Sequence, residues 1–105
     1  MKKILFVDDS LSILHQLKLL FSCPDYEVLT ANSGAQALEL IEAQPVDLVV
    51  SDIHMPGMDG FELLQRIKDS YPGVVRMILS GYADEKKVIA ALQKNVAKIY
   101  LFKPW

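Results

Sequence analysis

One cysteine in 105 residues, Cys23, leaves no partner for an internal disulfide. Met1-Lys2-Lys3 is followed by only four apolar residues, too few for the core of an export signal. Together these absences favour the cytoplasm, with Cys23 read as a packed or loop thiol and not a reactive one. Charge of one sign is also scarce. The net charge is -2 and no stretch forms a basic stripe, which argues against direct nucleic-acid binding. No apolar run approaches the roughly 20 residues of a membrane-spanning helix. Low-complexity segments, linkers and internal repeats are missing, so residues 1–105 read as one domain. What remains is 51% hydrophobic and 23% charged, the composition of a chain that buries a single core.

The apolar residues fall into alternating patterns. Ile4-Leu5-Phe6-Val7 is a continuous run, as in a strand covered on both faces. Ser10 can cap a helix in which Leu11, Leu14, Leu17, Leu20 and Phe21 recur at helical spacing, a stripe expected to pack in the core. Pro24-Asp25 breaks it, and residues 26–31 read as a second strand. A short helix follows Asn32-Ser33-Gly34 with Ala37, Leu38 and Ile41 on one face, and Pro45 ends it. Residues 46–51 form a third strand, and Asp59 with Glu62 resembles a capping box for the next helix. Residues 74–79 are a fourth strand, Asp84 can cap a fourth helix, and residues 97–102 are a fifth strand. This β-α-β-α-β-α-β-α-β order implies right-handed crossovers and an α/β fold, a parallel sheet with helices on both faces.

Ligands of such sheets sit beyond the carboxyl ends of the strands. Those ends carry Asp8 and Asp9, then Asp52, then Ser80 and Gly81, then Lys103. Three carboxylates brought together repel one another unless a cation compensates. Mg²⁺ (or Mn²⁺) suits oxygen ligands shared with a phosphate group. A hydroxyl and an ammonium at the same rim would hold further phosphoryl oxygens. A carboxylate can itself be the nucleophile, and Asp52 is best placed between the acid pair and the Ser80/Lys103 side.

Asp8-Asp9, Asp52 followed by Met55-Pro56-Gly57-Met58-Asp59-Gly60, Ser80-Gly81 and Lys103-Pro104 resemble the response-regulator receiver domain of two-component signalling, the chemotaxis-regulator-like group. The resemblance implies a doubly wound, flavodoxin-like five-stranded sheet of strand order 2-1-3-4-5. It also implies Asp52 as phosphoacceptor, with Asp9, Asp8, Asp52 and the His54 backbone carbonyl as metal ligands. Ser80, Gly81 and Lys103 would bind the phosphoryl group, and Ser80 with Tyr100 would form the switch. The Lys103-Pro104 bond is usually cis in this family. The implied partners are a histidine kinase and an output domain or partner protein, reached through the face of the fourth helix and fifth strand. The domain would catalyse only its own phosphorylation and dephosphorylation.

Receiver domains ordinarily carry a fifth helix, and Trp105 ends the chain before one. An uncovered apolar patch is therefore expected beside the fourth and fifth strands. A fragment of a longer regulator, a homodimer or domain swap that covers the patch, and an unstable truncation all remain open. Two other functions compete with the phosphoacceptor reading. One is a protein-interaction domain that is not phosphorylated. The other is a Mg²⁺-dependent aspartyl phosphatase, which wants an acid two residues past its nucleophile, where this chain has His54. His15, at a polar helix position, is expected on the solvated surface.

Overall fold

The computed structural model describes residues 2–21, 24–80, 85–97 and 99–102, with the backbone alone at 80, 85 and 99–102. The elements run β1 (Lys2–Val7), α1 (Leu11–Leu20), β2 (Tyr26–Ala31), α2 (Gly34–Ala43), β3 (Leu48–Asp52), α3 (Gly60–Ser70), β4 (Val75–Ser80), α4 (Glu85–Gln93) and β5 (Ile99–Phe102). All strand pairings are parallel, in the order β2-β1-β3-β4-β5. The sequence-based expectation of a doubly wound five-stranded sheet holds. No described helix is long and apolar enough to cross a membrane. Cys23, Gly81, Asp84, Lys103 and Pro104 lie outside the described residues, as do the side chains of Ser80 and Tyr100.

Local chemistry explains the helix starts. The Ser10 hydroxyl accepts from the Ile13 amide at 3.4 Å, and the Ser33 hydroxyl accepts from the Gln36 amide at 3.1 Å. Asp59 accepts from the Glu62 amide at 2.8 Å, which satisfies one of the amides that α3 leaves unpaired. α4 closes on Asn95 in the left-handed region (φ 59°), which short polar side chains tolerate best after glycine. There Val96 N–H donates to Ala91 at 2.9 Å and Asn95 N–H to Leu92 at 3.1 Å, a Schellman closure.

One face of the sheet is deeply covered. Leu5, Val7, Val49 and Ile78 pack there with Leu63, Leu64 and Ile67 of α3, Ala37 and Ile41 of α2, and Val88 and Ala91 of α4. The opposite face carries α1, through Leu14 and Leu17, against Phe6, Val50 and Leu79. The stripe expected along α1 is narrower than its spacing suggested: Leu11 is 69% and Leu20 67% exposed. Steps of three residues drift by about 60° each, so the three steps from Leu11 to Leu20 sweep half the helix and only the middle pair meets the sheet. Beside α1 lies an apolar groove of about 280 Å³, walled by Leu17 and Phe21 and floored by residues such as Phe6, Val50, Met77 and Leu79. This groove lies over β1, β3 and β4 and not beside β4 and β5, where the patch was expected; the side chains of β5 lie outside the described residues.

Candidate metal and phosphoryl site

The acid pair leaves β1 at its carboxyl end. Asp8 N–H donates to the Ala31 carbonyl at 3.1 Å, which ties the turn to the end of β2. The Asp8 carboxylate accepts from the Ser10 amide at 2.9 Å and is 1% exposed, whereas Asp9 is exposed. Ser10, and neither aspartate, is the cap of α1. A capping role alone therefore does not account for the pair.

Asp52 is the last residue of β3 and 6% exposed. The sheet ladder holds it, since Val7 pairs with Ser51 and Asp52 with Leu79. Its carbonyl accepts from the buried Ser51 hydroxyl at 2.8 Å. The loop that follows is drawn back beneath it, because Gly60 N–H donates to Ile53 at 2.8 Å. A Cβ at Gly60 would stand 2.1 Å from the Asp52 carbonyl oxygen, so only glycine lets α3 begin this close to the strand. Gly57 makes the intervening turn at φ 78°.

These supports bring the three carboxylates together. One oxygen each of Asp8, Asp9 and Asp52 lies within 4.8 Å of the others. Two buried carboxylates at that separation call for compensating positive charge. The set is all oxygen, without thiolate or imidazole, and so fits a hard cation such as Mg²⁺ (or Mn²⁺). The His54 ring is not among the gathered atoms, and His54 itself is exposed. The ladder continues the rim: Ser80 ends β4 opposite Phe102 of β5, and Lys103 is the next residue in the chain. Four strands, β1, β3, β4 and β5, thus end at this edge of the sheet, at Val7, Asp52, Ser80 and Phe102.

Two supports of the site, and one buried cation away from it, were not legible beforehand. Gly60 reads in the sequence only as part of a turn, and its close approach to Asp52 depends on where α3 packs. Ser51 reads as the polar end of a strand, yet it is fully buried. Arg76 sits in an apolar strand run and is 3% exposed.

Comparison with known proteins points the same way. Residues 4–105 match the family "Response regulator receiver domain". The transcriptional regulatory protein ZraR of Escherichia coli is 41% identical over 101 residues, covering 96% of this chain and 23% of that protein. GlrR of the same organism is 38% identical over 101 residues, with 96% and 22% covered. The chain therefore spans less than a quarter of the length of these relatives. Among solved structures, a response regulator receiver domain protein of Clostridium thermocellum has a TM-score of 0.91 at 36% identity, covering 100% of this chain and 84% of that one. The response regulator TrrA of Thermotoga maritima, in complex with Mg²⁺-BeF, has a TM-score of 0.87 at 31% identity, with 100% and 89% covered.

Proposed function

This chain belongs to the response-regulator receiver family, and from that premise we propose that Asp52 is the residue that accepts a phosphoryl group from a partner histidine kinase. The observation that carries the proposal is the meeting of the Asp8, Asp9 and Asp52 carboxylates at the carboxyl edge of the sheet. An Asp52 oxygen attacks the phosphorus of the donor phosphohistidine, the P–N bond breaks, and the electron pair leaves with the donor imidazole. Water attack on the resulting acyl phosphate returns the carboxylate and inorganic phosphate. The domain is thus a signalling module that catalyses only these two reactions on itself.

Asp8, Asp9, Asp52 and the His54 carbonyl would hold Mg²⁺ (or Mn²⁺), which when bound supplies positive charge against the phosphoryl oxygens. The Ser80 hydroxyl, the Gly81 backbone and the Lys103 ammonium bind that group from the β4 and β5 side. When Ser80 turns to donate to it, space opens behind the hydroxyl and Tyr100 rotates inward, which repacks the face of α4 and β5. The shift is no larger than the differential affinity of the phosphoryl group for the two arrangements. An output domain or partner protein reads that face. The relatives' regulatory names and the chain's small share of their length support a cytoplasmic setting with an output elsewhere in a longer protein.

The test is incubation with acetyl phosphate and Mg²⁺ followed by mass spectrometry. The expected result is an alkali-labile adduct that is absent from Asp52→Asn. A folded wild-type chain that takes up no phosphoryl group would sink the proposal in favour of an interaction domain.

A further inference from the structure

Among the described residues, Arg76 is a buried cation held by carbonyls alone. Its Nε donates to the Val96 carbonyl at 2.7 Å, one terminal nitrogen to Val74 at 3.0 Å and the other to Asn95 at 3.1 Å. It pairs with no carboxylate among the described residues. Burying a guanidinium is costly unless its donors are satisfied, and here the planar fork spans two segments of the chain at once. One carbonyl belongs to the turn entering β4, the other two to the turn leaving α4. Lys68 adds a second clasp, donating from Nζ to the Lys94 carbonyl at 2.8 Å. Three successive carbonyls after α4, those of Lys94, Asn95 and Val96, are thereby held by cations, at the end where the helix dipole is negative.

The segment so held leads directly into β5, an edge strand of four residues. A short edge strand with a partner on one side has little of its own to define register. Slippage by one residue moves the chain about 3.3 Å along the strand and exchanges its two faces. The observed pairing begins with Met77 beside Ile99 and ends with Ser80 beside Phe102, one residue before Lys103.

We propose that Arg76 is a positioning residue that pins the register of β5 against β4 and so delivers Lys103 to the phosphoryl site. This rests on the role given to Lys103 above. The guanidinium lies at the amino end of β4, at the opposite end of the strand from Ser80, and acts through the backbone of the α4–β5 turn. Lysine cannot replace it, because one ammonium lacks the planar fork that reaches both turns.

The experiment compares wild type, Arg76→Met, Arg76→Lys, Lys103→Ala and the double variant Arg76→Met/Lys103→Ala in full chain. Phosphorylation by acetyl phosphate, Mg²⁺ affinity and cross-strand NOEs between β4 and β5 are read on each. Arg76→Met is expected to slow phosphorylation by at least about 100-fold, since even a 1 Å misplacement costs that much. Its Mg²⁺ affinity stays at the wild-type value, because no Asp ligand lies on β5, and this also reports that the variant is folded. The Met77–Ile99 NOEs are lost or displaced, and Arg76→Lys shows the same displacement. The double variant is no slower than Lys103→Ala alone, since both changes remove one contribution. Wild-type NOEs in both Arg76 variants, or rate losses that multiply in the double variant, would overturn the proposal. The NOE readout needs no phosphorylation. A wild-type chain that takes no phosphoryl group therefore counts against the proposed function, while the register result still decides this one.

Discussion

Replacing Gly60 with alanine perturbs Asp52, the proposed phosphoacceptor, without touching its side chain. The added Cβ would lie 2.1 Å from the Asp52 carbonyl oxygen and 2.9 Å from both the Asp52 carbonyl carbon and the Ile53 Cα. All three neighbours are backbone, so no side chain can swing aside. Reaching an ordinary contact of 3.4 Å requires the start of α3 and the end of β3 to part by about 1.3 Å. The 2.8 Å bond from Gly60 N–H to Ile53 lies in the same gap and is stretched with it. Overpacking of this kind costs about 1–3 kcal/mol, and each kcal/mol lowers Tm by about 4–8 °C in a domain of this size. Because Asp52 moves with its carbonyl, phosphorylation by acetyl phosphate should fall by about 100-fold in protein that remains folded.

Gly57→Ala is the control. Gly57 has φ 78° with nothing within 4 Å of its Cβ position, so alanine there suffers left-handed strain of about 1–2 kcal/mol and displaces nothing. Two variants three residues apart should thus lose comparable stability while only one loses rate. Thermal melts and stopped-time phosphorylation assays separate them. The reasoning fails if Gly60→Ala reacts at the wild-type rate, or if Gly57→Ala is slowed as much.

Asp9→Ala removes an exposed member of the carboxylate cluster, and should raise the Mg²⁺ dissociation constant by at least about tenfold while Tm changes little, since even outer partners of a metal site are worth about 10–100-fold. Chelation with EDTA should abolish phosphorylation of the wild-type chain, and unchanged labelling without divalent cation would remove the metal from the scheme. A homodimer or domain swap across the apolar groove beside α1 predicts association in sedimentation experiments, weakened by Phe21→Ser. A cooperatively folding monomer at every concentration would remove that idea.

Periodicity and turn residues were enough to order nine elements and place the acids at strand ends, because those signals are local. Tyr26–Ala31 matches the expected second strand residue for residue, and Ser10, Ser33 and Asp59 cap the helices that their spacing announced. Boundaries moved where pairing overruled pattern: Asp52 ends β3 from within the ladder, and the stripe of α1 contributes only Leu14 and Leu17 to the core. The types of residue able to hold a cation and a phosphoryl group were likewise visible in the chain, since chemistry is a property of the side chain itself.

Distance was not visible. That Asp8, Asp9 and Asp52 place oxygens within 4.8 Å follows from the register of β1 on β3, which no single segment encodes. The same holds for Gly60, whose need to be glycine arises from α3 packing onto the strand end. It holds again for Arg76, a charge two of whose three carbonyl partners lie 19 and 20 residues away. Local sequence sets the conformational preferences and chemistry of each piece. Close approach between pieces is settled only when the sheet assembles, because it depends on every packing contact at once.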